Sequence, residues 1–237
     1  MTWTVLALGS TLVVLSSLPY LLPGELHPFL LERPELTADT LWRSTLVVHV
    51  AAGIFALPVG LLLMSQRLLR RFPAIHRRLG RLYFYVVLVG MVPSGSYLAF
   101  FAKGGWAAGS GFFLSGVFVA YALVRSIRQA RALDFRGHRD WMFRAYGQLA
   151  SAISFRVFHV ALQFTGMGYE ELYISSLWLS VLGNALLVEL AIALTSTLKP
   201  AAGAARRPLH ASFSHRVGPV PDLADERGSV RRLAEQI

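Results

Sequence analysis

The chain contains no cysteine. That removes disulfides, thiolate metal sites, iron–sulfur clusters and covalently attached c-type haem, so any metal or haem has to be held by His, Met or oxygen ligands. Charge is scarce as well: 15% of the residues are Asp, Glu, Lys or Arg, against about 25% in a soluble domain. Acids are the scarcer kind, 13 against 23 basic residues, which leaves a net charge of +10. Such a balance can mark a nucleic-acid partner. Here the basic residues sit in short loops between apolar runs and lack the aromatic interleaving of a single-strand binder, so none is expected. There is also no phosphate-binding glycine loop, no nucleotide fingerprint and no pair of carboxylates, and no catalytic residue is assigned. The Gly-rich stretch Gly104–Gly116 adjoins no strand and reads as the start of a helix.

Apolar sequence fills the space instead, with 54% hydrophobic residues and a mean hydropathy of +0.51. A spanning helix needs about 20 mostly apolar residues. Six runs qualify: Trp3–Leu22, Leu41–Met64, Leu82–Ala102, Trp106–Val124, Trp141–Thr165 and Leu172–Leu198. They predict an all-α fold, a polytopic helical bundle of six transmembrane helices over residues 1–199 with the lipid bilayer as its main partner. The first run is expected to be retained, because Met1–Thr4 carries no positive charge and no small-x-small cleavage site follows it. Residues 200–237, rich in Ala, Arg, Pro and Gly, are expected to be a disordered basic tail with a frayed helix over Asp222–Glu235.

Nineteen of the 23 basic residues fall in the second-to-third loop, the fourth-to-fifth loop and the tail. The positive-inside rule then puts both termini in the cytoplasm. Trp42, Trp106, Tyr20, Tyr169 and Tyr173 fall at the outer interface, Tyr83 and Trp141 near the inner one. Arginine- and alanine-rich usage points to a bacterial inner membrane.

Among the ionisable residues inside spanning runs, three stand out: His49 in the second, Arg156 and His159 in the fifth. Each costs roughly 2.5–3.5 kcal/mol at membrane depth, so each is a functional candidate. Counted along the helical rise, His49 and His159 both lie roughly 10–12 Å below the outer surface, with Arg156 one turn deeper than His159. Ser94, Ser96, Tyr97 and Ser115 fall near the same level. A stripe of small residues, Gly53, Ala56 and Gly60, continues the face of His49 and allows close helix packing or a flat ligand. Pro93 frees the carbonyl of Val89, which predicts a loosened third helix beside the histidines.

Two readings of the histidines stand together: ligands to a b-type haem, or hydrogen-bond donors across a helix interface, with a proton relay or another ligand as a third. The planar fork of Arg156 suits a carboxylate such as a haem propionate or an acidic substrate. Its structural alternative is pairing with helix carbonyls, Asn184 or Glu189.

Two stretches at inner helix starts look alike: His76-Arg77-Arg78-Leu79-Gly80-Arg81 and His138-Arg139-Asp140-Trp141-Met142-Phe143-Arg144. Helix N-termini with added arginines make a seat for lipid phosphate, haem propionates or a phosphorylated ligand. Arginines that simply follow the positive-inside rule need no ligand at all.

In His49, then His76 to Arg81, then His138 to Tyr146, then Arg156, the chain resembles a family of uncharacterised bacterial integral membrane proteins, a domain of unknown function. The resemblance covers roughly residues 40–165 and implies no established activity. A looser resemblance is to transmembrane b-type cytochromes. It implies an outer pair, His49 and His159, and an inner pair, His76 and His138, as haem ligands. His138 and His159 are 21 residues apart on one run, about 31 Å, which favours a one-haem over a two-haem version.

The leading expectation is therefore a membrane redox protein. Haem b is held by His49 and His159, Arg156 counters a propionate, and quinol or another redox partner exchanges electrons with it. The alternatives are a small-molecule, lipid or ion transporter, for which six helices would need a homodimer, and a non-catalytic assembly or sensor protein.

Overall fold

A computed structural model describes residues 2–22 and 28–197. The expected tail, residues 200–237, lies outside them. Met1–Thr195 forms one compact unit. Every element among the described residues is helical: α1 Thr2–Ser17, α2 Pro28–Leu31, α3 Pro34–Ala38, α4 Thr40–Leu63, α5 Gln66–Arg71, α6 Pro73–Tyr85, α7 Val92–Ala99, α8 Gly105–Arg131, α9 Phe135–Leu149, α10 Ser151–Leu162 and α11 Tyr169–Thr197. Short 3-10 turns cover Leu18–Leu21 and Gln163–Thr165, and a π-helical stretch, Val86–Met91, joins α6 to α7.

Among the described residues, five helical stretches are long and apolar enough to cross a membrane: Trp3–Leu21, Thr40–Leu63, Pro73–Ala99, Gly105–Arg131 and Tyr169–Ser196. The run Trp141–Thr165, expected as a sixth unbroken span, is divided between α9 and α10, which meet at Ala150. Asn184 on α11 marks the cause. Its Nδ2 donates to the Gly147 carbonyl at 2.9 Å, the acceptor that residue 151 would use in an unbroken helix, and its Oδ1 accepts from Ser154 Oγ at 3.1 Å. A side chain inserted in the backbone ladder bends a helix.

Pro58, by contrast, leaves α4 continuous. Pro93 acts as expected: the helix ahead of it widens into the π-helical stretch, a common way to absorb a lost backbone bond. Gly104, with φ 81°, turns the chain into α8. Asp39 caps α4, accepting from Leu41 N at 2.8 Å and Trp42 N at 3.2 Å.

The packing inverts that of a soluble protein. Ala56, Ala108, Ala122, Ala145, Ser126, Ser176 and Ser180 are fully buried, whereas Leu8, Leu12, Leu182, Leu186 and Leu190 face outward. Lipid tails solvate leucine as well as a core does, so small residues take the helix contacts and leucines face the bilayer. Gly109 shows the closeness: a Cβ there would lie 2.6 Å from the Ala99 carbonyl oxygen of α7. The main core joins α4, α6, α8 and α9 through Ala56, Leu57, Tyr83, Val119, Leu123 and Ala145. A smaller one ties α8 to α11 through Ala108, Leu177 and Val181.

Candidate functional site

The polar side chains gather at three levels. At the arginine-rich end, α9 is fixed by the residues of its own motif. His138 Nδ1 lies 2.8 Å from Ser126 Oγ and 3.1 Å from the Ser126 carbonyl, and Ser126 Oγ donates to the His138 carbonyl at 3.1 Å. A carbonyl only accepts, so Nδ1 is the donor in this pair and Nε2 is left outside it. Trp141 lies under the guanidiniums of Arg125 and Arg144, at 5.5 and 4.6 Å, with its edge against Tyr121. Arg144 makes a two-pronged pair with Glu189 of α11 at 2.5 and 2.8 Å. His76, at the start of α6, lies within electrostatic reach of His138. Its Nδ1 is buried without a hydrogen-bond partner.

In the middle of the bundle the Tyr146 hydroxyl donates to the Leu57 carbonyl at 3.1 Å. Its ring lies over Gly60, where a Cβ would meet Tyr146 Cδ2 at 2.7 Å and Tyr83 Cε2 at 3.1 Å. The lower part of the small-residue stripe is thus filled by two aromatic rings rather than left for a ligand. Gln148 Nε2 donates to Ser115 Oγ at 2.9 Å, so Ser115 serves helix packing at this level.

At the opposite end His49 reaches across to the distorted third span. Its Nδ1 lies 3.1 Å from the Met91 carbonyl and 3.2 Å from Ser94 Oγ, and Ser94 Oγ itself donates to the Gly90 carbonyl at 2.6 Å. By the same reasoning Nδ1 is the protonated nitrogen. The imidazole lies flat against Gly95, where an added Cβ would be 2.8 Å from His49 Cε1. Glycine at 95 is therefore what admits the ring.

His159 sits three residues before the end of α10. It stacks on Phe155 at 5.6 Å and meets the edges of Tyr169 and Tyr173 at 6.0 and 6.3 Å. Its Nδ1 is buried and unpartnered. Arg156 is exposed and donates to the Ala152 carbonyl of its own helix at 2.8 Å. It is bonded to neither Asn184 nor Glu189, which serve Gly147 and Arg144. Above these rings an open depression of about 740 Å³ is lined by Arg33, Glu35, Lys103, Tyr169, Glu170 and Tyr173. Lys103 pairs with Glu32 there, and Arg33 caps the third span at the Phe101 carbonyl.

His76 lies within electrostatic reach of His138, with no hydrogen bond or ring contact between them among the described residues. His49 and His159 each have their own neighbours, and no hydrogen bond or ring contact among the described residues joins them. No group of three or more His, Cys, Asp or Glu side chains able to hold a metal is present among the described residues. Sequence reading missed Ser126, Tyr146 and Asn184 as the residues that position α9. All three are small or neutral and carry no charge signal at membrane depth.

A bundle of apolar helices with its leucines turned outward and its polar contacts turned inward defines an integral membrane protein. The chain belongs to the family described as "Predicted membrane protein (DUF2306)", whose match covers residues 46–192. That match reaches past the expected boundary near residue 165 and takes in most of α11. No curated protein and no solved structure matches the chain. The likeness to b-type cytochromes draws no support from these comparisons.

Proposed function

We propose that this chain is a membrane electron-transfer protein that holds b-type haem between histidines of separate helices, in a bacterial inner membrane with its arginine-rich end toward the cytoplasm. The observation that carries the reading is the posture of His49 and His138. Each turns Nδ1–H to a backbone carbonyl, which fixes the tautomer and leaves Nε2 as the ligand nitrogen. Histidines that bind metals are held in this way. At each end a second imidazole, His159 or His76, has a buried Nδ1 that no protein group satisfies. The donor set of neutral imidazoles without thiolates suits a b-type haem, which would supply one-electron chemistry when bound. Arg156, with donors beyond its bond to Ala152, lies one turn from His159 and is suited to counter a propionate. Quinol or another redox partner would supply or take the electrons.

Reduced-minus-oxidised absorption spectra of membranes rich in the protein test this. A b-type α-band absent from control membranes is expected, lost or weakened in His49→Ala and His159→Ala. A parallel loss in His76→Ala and His138→Ala would place a second haem at the inner end. No band in the parent protein removes the reading. The second reading is then a small-molecule, lipid or ion transporter working as a homodimer, for which uptake into proteoliposomes depends on Arg156.

A further inference from the structure

The guanidiniums at the arginine-rich end are not equally provided for. Among the described residues that end carries the acids Asp134, Asp140 and Glu189, and each is committed. Asp134 caps α9 at Gly137 N, Asp140 pairs with Arg139 at 2.9 Å and faces Arg136 at 4.0 Å, and Glu189 holds Arg144. No carboxylate among the described residues is left for Arg125. It is half-buried in the last two turns of α8, with its guanidinium 5.5 Å from the centre of the Trp141 ring. Its Nε is covered and has no hydrogen-bond partner. An arginine that merely follows the positive-inside rule keeps its water. Arg125 has exchanged part of its water for a ring face, so a formal anion at its terminal amino groups stabilises it more than it would a fully hydrated side chain.

The face of α8 that carries Arg125 shows where such an anion comes from. Leu114, Val117, Tyr121, Arg125 and Arg128 follow one another at steps of three or four residues and share that face. Leu114, Val117 and Tyr121 are 54%, 47% and 53% exposed, and Arg128 is exposed without an acidic partner among the described residues. Tyr121 also meets the edge of Trp141 at 5.4 Å. From Leu114 to Tyr121 an apolar stripe of about 10 Å therefore faces the bilayer, and it ends on two guanidiniums. A phospholipid has the same order, acyl chains and then a phosphate.

We propose that this face holds one anionic phospholipid, its phosphate on Arg125 and Arg128 and its acyl chains along Tyr121, Val117 and Leu114. Charge complementarity selects the headgroup. The ammonium of an ethanolamine lipid meets two guanidiniums and no uncommitted carboxylate, whereas phosphatidylglycerol brings the phosphate and neutral hydroxyls. Neither haem nor any of the histidines takes part in this site.

Native mass spectrometry of the full chain, released from detergent with phosphatidylglycerol and phosphatidylethanolamine of matched acyl chains, counts the lipid retained. The first phosphatidylglycerol is expected to bind about tenfold tighter than the first phosphatidylethanolamine. That affinity should fall about tenfold in Arg125→Gln and about fivefold in Arg128→Gln. It should be unchanged in Arg70→Gln, at an exposed arginine of α5. Equal retention of the two lipids overturns the proposal, and so does an equal loss in Arg70→Gln, because the preference then follows net charge alone. Displacement of the lipid by millimolar inorganic phosphate also overturns it, since the site then takes the free anion. Arg128→Gln decides alone if Arg125→Gln does not fold, and an unchanged affinity there removes the site.

Discussion

Gly53 and Gly60 lie two turns apart on α4, and only one of them is crowded. A Cβ at Gly60 would press on the rings of Tyr146 and Tyr83, the nearest atom 2.7 Å away, while at Gly53 nothing lies within 4 Å. Gly60→Ala is therefore expected to destabilise the protein by about 1–3 kcal/mol through overpacking. Gly53→Ala should be neutral or stabilising by up to about 1 kcal/mol, because alanine is the better helix former. Thermal unfolding of both variants in one detergent checks the contrast. In sequence the two glycines are alike, both part of a small-residue face running from His49. Which of them makes room for something depends on Tyr83 and Tyr146, which arrive from other helices. The intramembrane ionisable residues were legible because charge stands out in an apolar run, and a helix carbonyl, the partner Arg156 takes, was among those expected for it. The pairing of Glu189 with Arg144 was not legible, because it joins residues of different helices that no periodicity relates.

At the scale of the element, the division of Trp141–Thr165 into α9 and α10 escapes hydropathy because neither proline nor glycine stands at Ala150. It follows from a clip by Asn184, on a helix that comes later in the chain. Asn184→Ala should cost about 1–2 kcal/mol by removing both bonds to α9 and α10. The change in unfolding temperature is the readout. The π-helical stretch before Pro93 was better signalled, since a proline inside an apolar run announces a lost backbone bond. The turn between α8 and α9 carries a local cost of another kind. Leu133 has φ 61°, a left-handed conformation that costs a non-glycine residue roughly 1–2 kcal/mol. Leu133→Gly is expected to recover about 1 kcal/mol of it, visible as a raised unfolding temperature; a lowered one would mean that the leucine side chain contributes contacts of its own.

For the whole molecule, apolar run lengths foretold an all-helical membrane bundle, and the observed helices begin and end within a few residues of those runs at most positions. Orientation rests on the arginine distribution, and the absence of cysteine makes it simple to test. A single cysteine at Gly166, in the loop between α10 and α11, should react with an impermeant maleimide added to intact cells. One at Leu133 should react only after the membrane is opened. The reverse pattern would invert the topology. The Arg144–Glu189 pair, which holds α9 to α11, gives a second global check. Each charge reversal alone should lower the yield of folded protein, and Arg144→Glu combined with Glu189→Arg should restore much of it.

The central claim is that neutral imidazoles, oriented by backbone carbonyls, make this bundle a haem protein. Its most direct measurement is the haem content of the purified full-length chain, produced with ample haem and assayed as the pyridine complex. The account predicts at least one haem per chain, reduced to background when His49 and His159 are both replaced by alanine. A folded, helical preparation free of haem, or one whose haem survives replacement of all four histidines, would contradict it.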